Sequence, residues 1–353
     1  MYSTLLAFDW FLLIEKLVLI VGIVSVSLII AMYETYAERK VAAYIQDRRG
    51  PNRAGPFGLL QPLADGLKLF MKEEIIPNTS NRLLFILGPC LAMLTAMMTS
   101  AVIPWGGNLE IAGRTVNLQI ADINIGILFV FGVVSMGVYG VMIGGWASNN
   151  KFSLLAALRG ASQVISYELP MGMSLIALLL VTGSLKMSVI VGQQLDSWYN
   201  VLYQPLGFLI FLICAFAECN RTPFDLSEAE NELNFGYHQE YSSMKLGFYL
   251  FAEYINMFIS SVIMATLFFG GYDIPFINDA NLAHSIGGNL TALLEGLSLF
   301  IKTGMFIFLF MWVRWTIPRF RYDQLMNLGW RGLIPLSLVN MVVTAAVVLW
   351  LKK

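Results

Sequence analysis

Long apolar runs alternate with shorter polar connections along the chain. Eight of these runs lie at about residues 10–33, 83–103, 123–147, 161–183, 201–219, 247–270, 291–314 and 332–351. A helix of about 20 apolar residues matches the ~30 Å apolar thickness of a bilayer. The pattern therefore predicts an all-α polytopic membrane protein, in which about eight transmembrane helices form a single membrane domain over residues 1–353.

Two connections are longer or more charged than simple links between helices. Within residues 34–82, Leu63, Leu67 and Phe70 recur at helical spacing opposite charged positions. This spacing predicts an amphipathic interfacial helix in the first cytoplasmic loop. Residues 220–246 form the second such connection, which is acidic.

The positions of Lys and Arg predict the orientation of the bundle. The connections after the first, third, fifth and seventh runs carry 16 of the 22 basic residues, and the opposite connections and end carry 4. Basic connections stay on the cytoplasmic side of a membrane. We therefore expect a multi-pass protein of the bacterial inner (plasma) membrane with both termini on the periplasmic side. A mitochondrial inner membrane, with the basic side facing the matrix, is the second possibility.

Composition excludes several classes of function. Charged residues make up 13% of the 353 residues, and the mean hydropathy is +0.68. Soluble domains carry about 25% charged residues, so a soluble enzyme and a disordered protein are excluded. A net charge of -1 leaves no basic face for nucleic acid. The three cysteines form no CxxC pair and no nucleotide-binding motif is present, so we expect the chain itself to bind no metal and no redox cofactor.

Acidic residues concentrate in and beside the later runs. Glu168 and Glu253 lie inside runs, and Glu218 ends one. The next connection adds Asp225, Glu228, Glu230 and Glu232. Ionisable groups inside a membrane are costly, and burial and mutual repulsion raise carboxylate pKa values, as a proton relay requires. For the acids of the connection, a solvated surface or pairing with cations of a partner is an equally good interpretation.

Cations and aromatic residues concentrate after the first and seventh runs. The charged positions there include Glu38, Arg39, Arg48, Arg49, Arg314, Arg319 and Arg321. Such a group can form a docking surface or a cleft for an amphipathic headgroup. Composition alone favours ordinary positive-inside anchoring with an aromatic belt.

Three weaker patterns concern packing. Gly140 and Gly144 form a GxxxG pair, which predicts close helix packing. Glu295 and Lys302 lie seven residues apart on one helix face and form either a ladder or two anchors. Residues 109–119 are typical of a small hairpin on the side opposite the basic connections.

Several segments together resemble one family, and the similarity runs in order along essentially the whole chain. The segments are 37–40, 46–53, 55–68, 163–168, 217–226, 228–233, 252–254 and 318–325. They look like the motifs of the H subunit of NADH-quinone oxidoreductase, the membrane subunit at the quinone-site end of respiratory complex I. Residues 37–40, 46–53 and 55–68 resemble the first cytoplasmic loop of that family.

The resemblance implies the fold, the activity and the partners. It implies an eight-helix, cofactor-free subunit of a proton-pumping NADH:quinone oxidoreductase that forms part of the quinone cavity. Quinone is then the substrate at a subunit interface, and flavin and iron–sulfur clusters belong to partner subunits. The implied partners are the peripheral-arm quinone-site subunits, antiporter-like membrane subunits and the lipid bilayer.

The resemblance also implies roles for residues. The proton relay would consist of Glu168, Glu218, Asp225, Glu228, Glu230, Glu232 and Glu253. The quinone-binding side would consist of Glu38, Arg39, Arg48, Arg49, Asp65, Arg314, Arg319 and Arg321. The alternatives are the homologous subunit of a membrane-bound hydrogenase-type complex, a stand-alone cation/proton antiporter and a purely structural anchor.

Overall fold

The fold comes from a computed structural model of the chain, which describes residues 10–111, 113–195, 199–228, 230–275, 277 and 287–351. For residues 111, 230 and 231 it describes the backbone alone. The helices are α1 (Trp10–Ile45), α2 (Gln61–Met71), α3 (Arg82–Thr99), α4 (Gly126–Ala147), α5 (Lys151–Thr182), α6 (Met187–Leu195), α7 (Asn200–Tyr203), α8 (Pro205–Glu218), α9 (Glu230–Leu233), α10 (Ser243–Phe268), α11 (Gly288–Thr316), α12 (Tyr322–Asn327) and α13 (Ile334–Leu351). A π-helical turn, Leu328–Leu333, joins α12 to α13.

Seven helical segments of the described chain are long and apolar enough to cross a membrane. They confirm the all-α polytopic class. The run expected at 201–219 is different, because it is divided into α7 and the 14-residue α8. Pro205 begins α8, where its missing N–H leaves no hydrogen bond unmade. At 1.5 Å per residue α8 is about 21 Å long, which is shorter than the apolar core of a bilayer.

The first helix is longer than the hydrophobic pattern indicated. It continues to Ile45 rather than ending near residue 33. No glycine or proline interrupts residues 34–45, and Glu34, Glu38 and Ala42 follow each other at intervals of four on its buried side. A side of polar and small residues facing inward continues the helix where a count of apolar residues ends it.

The first loop contains the predicted amphipathic helix, α2. Its charged side is held against α1, because Arg39 and Asp65 form an ion pair of 2.6 Å. Leu63, Leu67 and Phe70 lie on the other side and are exposed. The described residues therefore leave this apolar side uncovered, as expected of a helix lying on a bilayer surface.

Helix α10 is the central helix of the bundle. In its most apolar stretch 78% of the residues are buried, whereas the figure for α1 is 6%. It contacts α1, α3 and α11.

The GxxxG pair of α4 faces α3 and α10. A Cβ on Gly140 would lie 2.8 Å from the backbone nitrogen of Ala92, and a Cβ on Gly144 would overlap the hydroxyl of Tyr249. The glycines therefore make room for close packing, as the spacing predicted.

The opposite end of the bundle carries the predicted hairpin. Strands β1 (Asn108–Ile111) and β2 (Arg114–Asn117) pair antiparallel, with Ile111 opposite Arg114. The side chain of Asn289 holds the hairpin to α11 by a 2.9 Å bond to the carbonyl of Glu110. The predicted location of both termini on this side concerns chain ends that lie outside the described residues.

Candidate functional site

The segment 219–228, between α8 and α9, is non-helical and nevertheless almost entirely buried. Irregular backbone at membrane depth occurs where protein or a water-filled cavity surrounds it. Gln163 of α5 fixes the segment, because its side-chain nitrogen donates to the carbonyls of Ala217 and Phe224, each at 2.7 Å. This part of the acidic connection is therefore an interior element of the bundle and not a surface loop.

The buried carboxylate of Glu38 bridges two arginines and a tyrosine. We call these four residues, Glu38, Arg221, Arg314 and Tyr254, the ion cluster. Glu38 Oε1 lies 2.5 Å from Arg314 Nη1, and Oε2 lies 3.6 Å from Arg221 Nη1. The Tyr254 hydroxyl donates to Oε2 at 2.9 Å, and the Arg221 guanidinium lies over the Tyr254 ring at 4.1 Å. Helices α1, α10 and α11 and the buried segment each contribute a member. Buried charges are tolerated when they are paired in this way.

The ion cluster carries two cations against one carboxylate. Burial opposes the charged form of Arg221, but Tyr254 and the nearby acids Glu38, Glu253 and Glu228 outweigh it and hold the arginine pKa above its usual value. Arg221 therefore stays cationic. Its charge interacts with Glu38 in the ion cluster and with Glu253 and Glu228 outside it, so Arg221 links the cluster to these other acids.

Asp225 is the acid of the buried segment that titrates near neutrality. Burial raises its pKa to about 7, the charge of Glu228 adds to this, and Arg319, Arg314 and Arg221 oppose it. The Arg319 side chain lies 3.1 Å from its Oδ2. A carboxyl group with this pKa can take up and release a proton at physiological pH.

A water-sized cavity lies behind the ion cluster and is lined by Glu218, Glu253, Asn220, Tyr237 and Asn256 among apolar side chains. We call it the acid cavity; its volume is about 50 Å³. The Tyr237 hydroxyl donates to Glu253 Oε1 at 3.2 Å, and burial and the neighbouring Glu253 raise the pKa of the tyrosine, so it remains a neutral donor.

A second cavity of about 30 Å³ shares Glu218 and Asn256 with the acid cavity. One water molecule needs roughly 10–15 Å³ on this measure, so both cavities have room for water. Glu168 of α5 is half-buried, bonds to Ser135 and is an electrostatic neighbour of Glu218. Of three predicted relay acids, Glu218 and Glu253 therefore line the acid cavity, and Glu168 is an electrostatic neighbour of Glu218.

Adjacent residues of α10 join the ion cluster to the acid cavity. Glu253 lines the cavity, and Tyr254 bonds to Glu38 in the cluster. Consecutive helical residues point about 100° apart, so one turn of one helix presents a group to each site. The two groups of charges that the sequence showed separately therefore form one continuous polar region.

The remaining predicted positions lie at its edges. Arg39 pairs with Asp65, and Glu232 pairs with Arg159 at 2.6 Å. Exposed positions are taken by Arg48, Arg49 and Arg321. The side chain of Glu230 lies outside the described part of the chain. Among the described residues, no group of three or more His, Cys, Asp or Glu side chains is arranged to hold a metal ion.

Sequence reasoning missed several polar residues of the region. Gln163, Tyr237 and Tyr254 hold the buried segment, Glu253 and Glu38 respectively. Glu34, one turn before Glu38, is also buried, and its carboxylate oxygens have no hydrogen-bond partner in the described structure. An available signal was the occurrence of Gln163 and Glu34 inside or beside apolar runs, where an uncompensated polar side chain is costly.

The family model and the relatives that match this chain are named as NADH dehydrogenase or as subunits of NADH-quinone oxidoreductase. A family model described as NADH dehydrogenase matches residues 17–345. An NADH-quinone oxidoreductase H subunit of Cytophaga hutchinsonii is 64% identical, covering 96% of this chain and 97% of the relative. The NADH-quinone oxidoreductase H subunit of Flavobacterium johnsoniae is 64% identical with 96% of each chain covered. NADH-quinone oxidoreductase subunit 8 of Rhodothermus marinus is 47% identical, covering 92% of this chain and 94% of the relative.

Proposed function

The chain belongs to the NADH dehydrogenase family, with the H subunits of NADH-quinone oxidoreductases, and from that premise we propose how it works in the complex. It is a membrane subunit of this enzyme. We infer that it forms part of the quinone cavity and couples quinone reduction to proton translocation through its buried carboxylates. The observation that carries the proposal is the direct connection between the ion cluster and the acid cavity through Glu253 and Tyr254.

The ion cluster and its surroundings supply the quinone side. Reduction of a quinone to a quinol takes two electrons, which reach it from partner subunits, and two protons. Arg314 is partly exposed beside Glu38, and Arg319 is exposed beside Asp225. Cations at this edge stabilise the negative charge that develops on a quinone when electrons arrive before protons. Asp225, with its pKa near neutrality, is a proton donor of suitable strength.

The acid cavity supplies the coupling side. Negative charge near Arg221 competes with Glu38 for that arginine, so the acids behind it gain or lose a stabilising cation. Glu253 and Glu218 then change protonation, and the change passes to Glu168 on the next helix. Charges in a region of low dielectric act strongly on one another over such distances. This is an electrostatic switch acting on a chain of carboxylates.

The partners and the orientation follow the same proposal. The basic connections face the cytoplasm of a bacterium, where a peripheral arm carries flavin and iron–sulfur clusters and this chain binds neither. The chain ends face the periplasm. Antiporter-like membrane subunits receive the proton signal from the side of Glu168. The exposed stripe of α2 lies at the bilayer surface beside the quinone entrance.

The deciding experiment is Glu218→Gln in the assembled complex, measured for NADH-to-quinone turnover and for proton pumping. We expect both to fall together, since the amide fills the same space and cannot carry the charge. Glu110→Gln, an exposed acid on the hairpin, is the control and leaves both unchanged. Normal turnover and normal pumping in Glu218→Gln would show that this residue is outside the relay. Cation transport by the purified chain alone in liposomes would favour a stand-alone antiporter instead.

A further inference from the structure

A lysine in the interior of α11 donates to the backbone of another segment. The ammonium of Lys302 donates to the carbonyl oxygens of Phe269, Gly271 and Asp273 at 2.7, 3.0 and 2.7 Å. Lys302 is buried. Three carbonyls match the three donors of an ammonium group. These carbonyl oxygens form a cage around the ammonium, and the ladder with Glu295 stays a prediction.

The cage is built at the end of α10. The chain turns back on itself there through Gly270 and Gly271, whose φ values are 74° and 57°. The cage lies at the negative end of the α10 dipole, which favours a cation. The ring of Tyr199 lies 5.1 Å from the Lys302 ammonium, and the Tyr199 hydroxyl donates to Asp273 Oδ2 at 2.8 Å. Carbonyl oxygens, an aromatic face and a helix C-terminus all select for positive charge.

We propose that this cage is a binding site for a monovalent ammonium-type cation, occupied in this protein by the tethered ammonium of Lys302. Its role is to hold the far end of α10, the helix that carries Glu253 to the acid cavity. Removal of the side chain leaves three inward-facing carbonyls without their cation, which is costly in a buried place. It also leaves space that a free ammonium ion can fill. The site lies apart from the ion cluster, and its existence does not depend on the proposed proton relay.

The test uses Lys302→Ala in the assembled, membrane-embedded complex. We expect its thermal midpoint to fall by several degrees, and NADH-to-quinone turnover to fall with it. Ammonium or methylammonium chloride should restore the midpoint, because each carries charge and N–H donors. Tetramethylammonium chloride at the same ionic strength has no N–H donor and should not. Lys302→Met fills the space without charge, so we expect a lowered midpoint that ammonium does not restore.

Lys16→Ala is the matched control. Lys16 is also a lysine within an apolar helix, but its side chain is 34% exposed and donates to one carbonyl, that of Gln119, at 3.1 Å. Its variant should show no dependence on ammonium. The proposal is overturned if Lys302→Ala keeps the parental midpoint, if ammonium and methylammonium fail to raise a lowered one, or if tetramethylammonium raises it equally.

If Lys302→Ala does not accumulate in membranes, Lys302→Gln is measured in its place, because it keeps N–H donors and loses the charge. We expect its midpoint to lie below that of the parent and to be insensitive to ammonium, because the amide occupies the cage. A parental midpoint for Lys302→Gln contradicts a cation site. The thermal midpoint reports whether the cage is occupied. The outcome of this test is therefore independent of whether Glu218 takes part in proton transfer.

Discussion

Replacing Gly144 with alanine tests the packing that positions the acid cavity. The added Cβ would overlap the hydroxyl of Tyr249 and lie 3.0 Å from its Cζ and 3.2 Å from the hydroxyl of Tyr241. Tyr249 also lines the acid cavity, but both tyrosines are held by the contacts that follow. Tyr249 donates to the carbonyl of Gly140 at 3.1 Å, Tyr241 donates to that of Gly144 at 3.3 Å, and the two rings pack edge to face at 5.0 Å.

The expected cost follows from these distances. Overpacking an interior costs about 1–3 kcal/mol, and we expect Gly144→Ala to fall in this range because Tyr249 can avoid the clash only by giving up its bond to the carbonyl of Gly140. Gly132 lies on the same helix, and a Cβ there has no atom within 4 Å. Gly132→Ala should therefore be neutral, or stabilising by up to about 1 kcal/mol through helix propensity. The two variants change the same atoms in the same helix and differ in their surroundings.

The assay is heat inactivation of the assembled complex, read as remaining NADH-to-quinone turnover, with the amount of chain in the membrane measured alongside. Gly144→Ala should inactivate several degrees below Gly132→Ala. Tyr249→Phe removes the overlapping hydroxyl at a cost of about 0.5–1.5 kcal/mol for its hydrogen bond. Combined with Gly144→Ala, it should recover part of the loss. Equal midpoints for the two alanine variants, or strictly additive effects in the double variant, would refute the packing argument.

Two further predictions concern charges. Glu38→Gln leaves Arg221 and Arg314 without their shared carboxylate and should cost about 3 kcal/mol of stability. Arg39→Gln breaks an exposed pair and should cost at most about 1 kcal/mol. Equal shifts in the denaturation midpoints of the two variants would contradict this. The pKa of Asp225 is raised to about 7, so its folded form favours the protonated acid, and its contribution to stability is lost as pH rises from about 4 to 7. Asp225→Asn should flatten this part of the curve of thermal midpoint against pH, and parallel curves for variant and parent would show that Asp225 does not titrate there.

Local patterns predicted much of the fold. The helices, the amphipathic α2 and the far-side hairpin follow from periodicity and turn residues, which act over a few positions. The lengths of α1 and α8 did not follow, because counting apolar residues is blind to inward-facing polar side chains such as Glu34 and does not weigh the break at Pro205. The first difference arises from tertiary packing, and the second arises from the local break at Pro205.

The candidate site was visible as two groups of residues but not as one region. The cost of charge in a membrane marks Glu168, Glu218 and Glu253 from sequence alone. The pairing of Glu38 with Arg221 and Arg314 joins residues far apart along the chain, and no periodic pattern encodes such contacts. Lys302 shows the same limit: its partners are backbone carbonyls of another segment, which carry no sequence signature.

In the proposed relay, the placement of Glu253 along α10 determines how membrane voltage acts on proton uptake. The helix has 26 residues and Glu253 lies ten residues after Ser243, so the acid is about 15 Å from the basic end of a helix about 39 Å long. With the proposed orientation, a proton that moves in from the cytoplasm and stops at Glu253 crosses roughly two-fifths of the electric field. At about 2.3 kcal/mol per elementary charge and 100 mV, this uptake step responds to voltage by only about 0.9 kcal/mol per 100 mV. Most of the electrical work of translocation is then done beyond this acid.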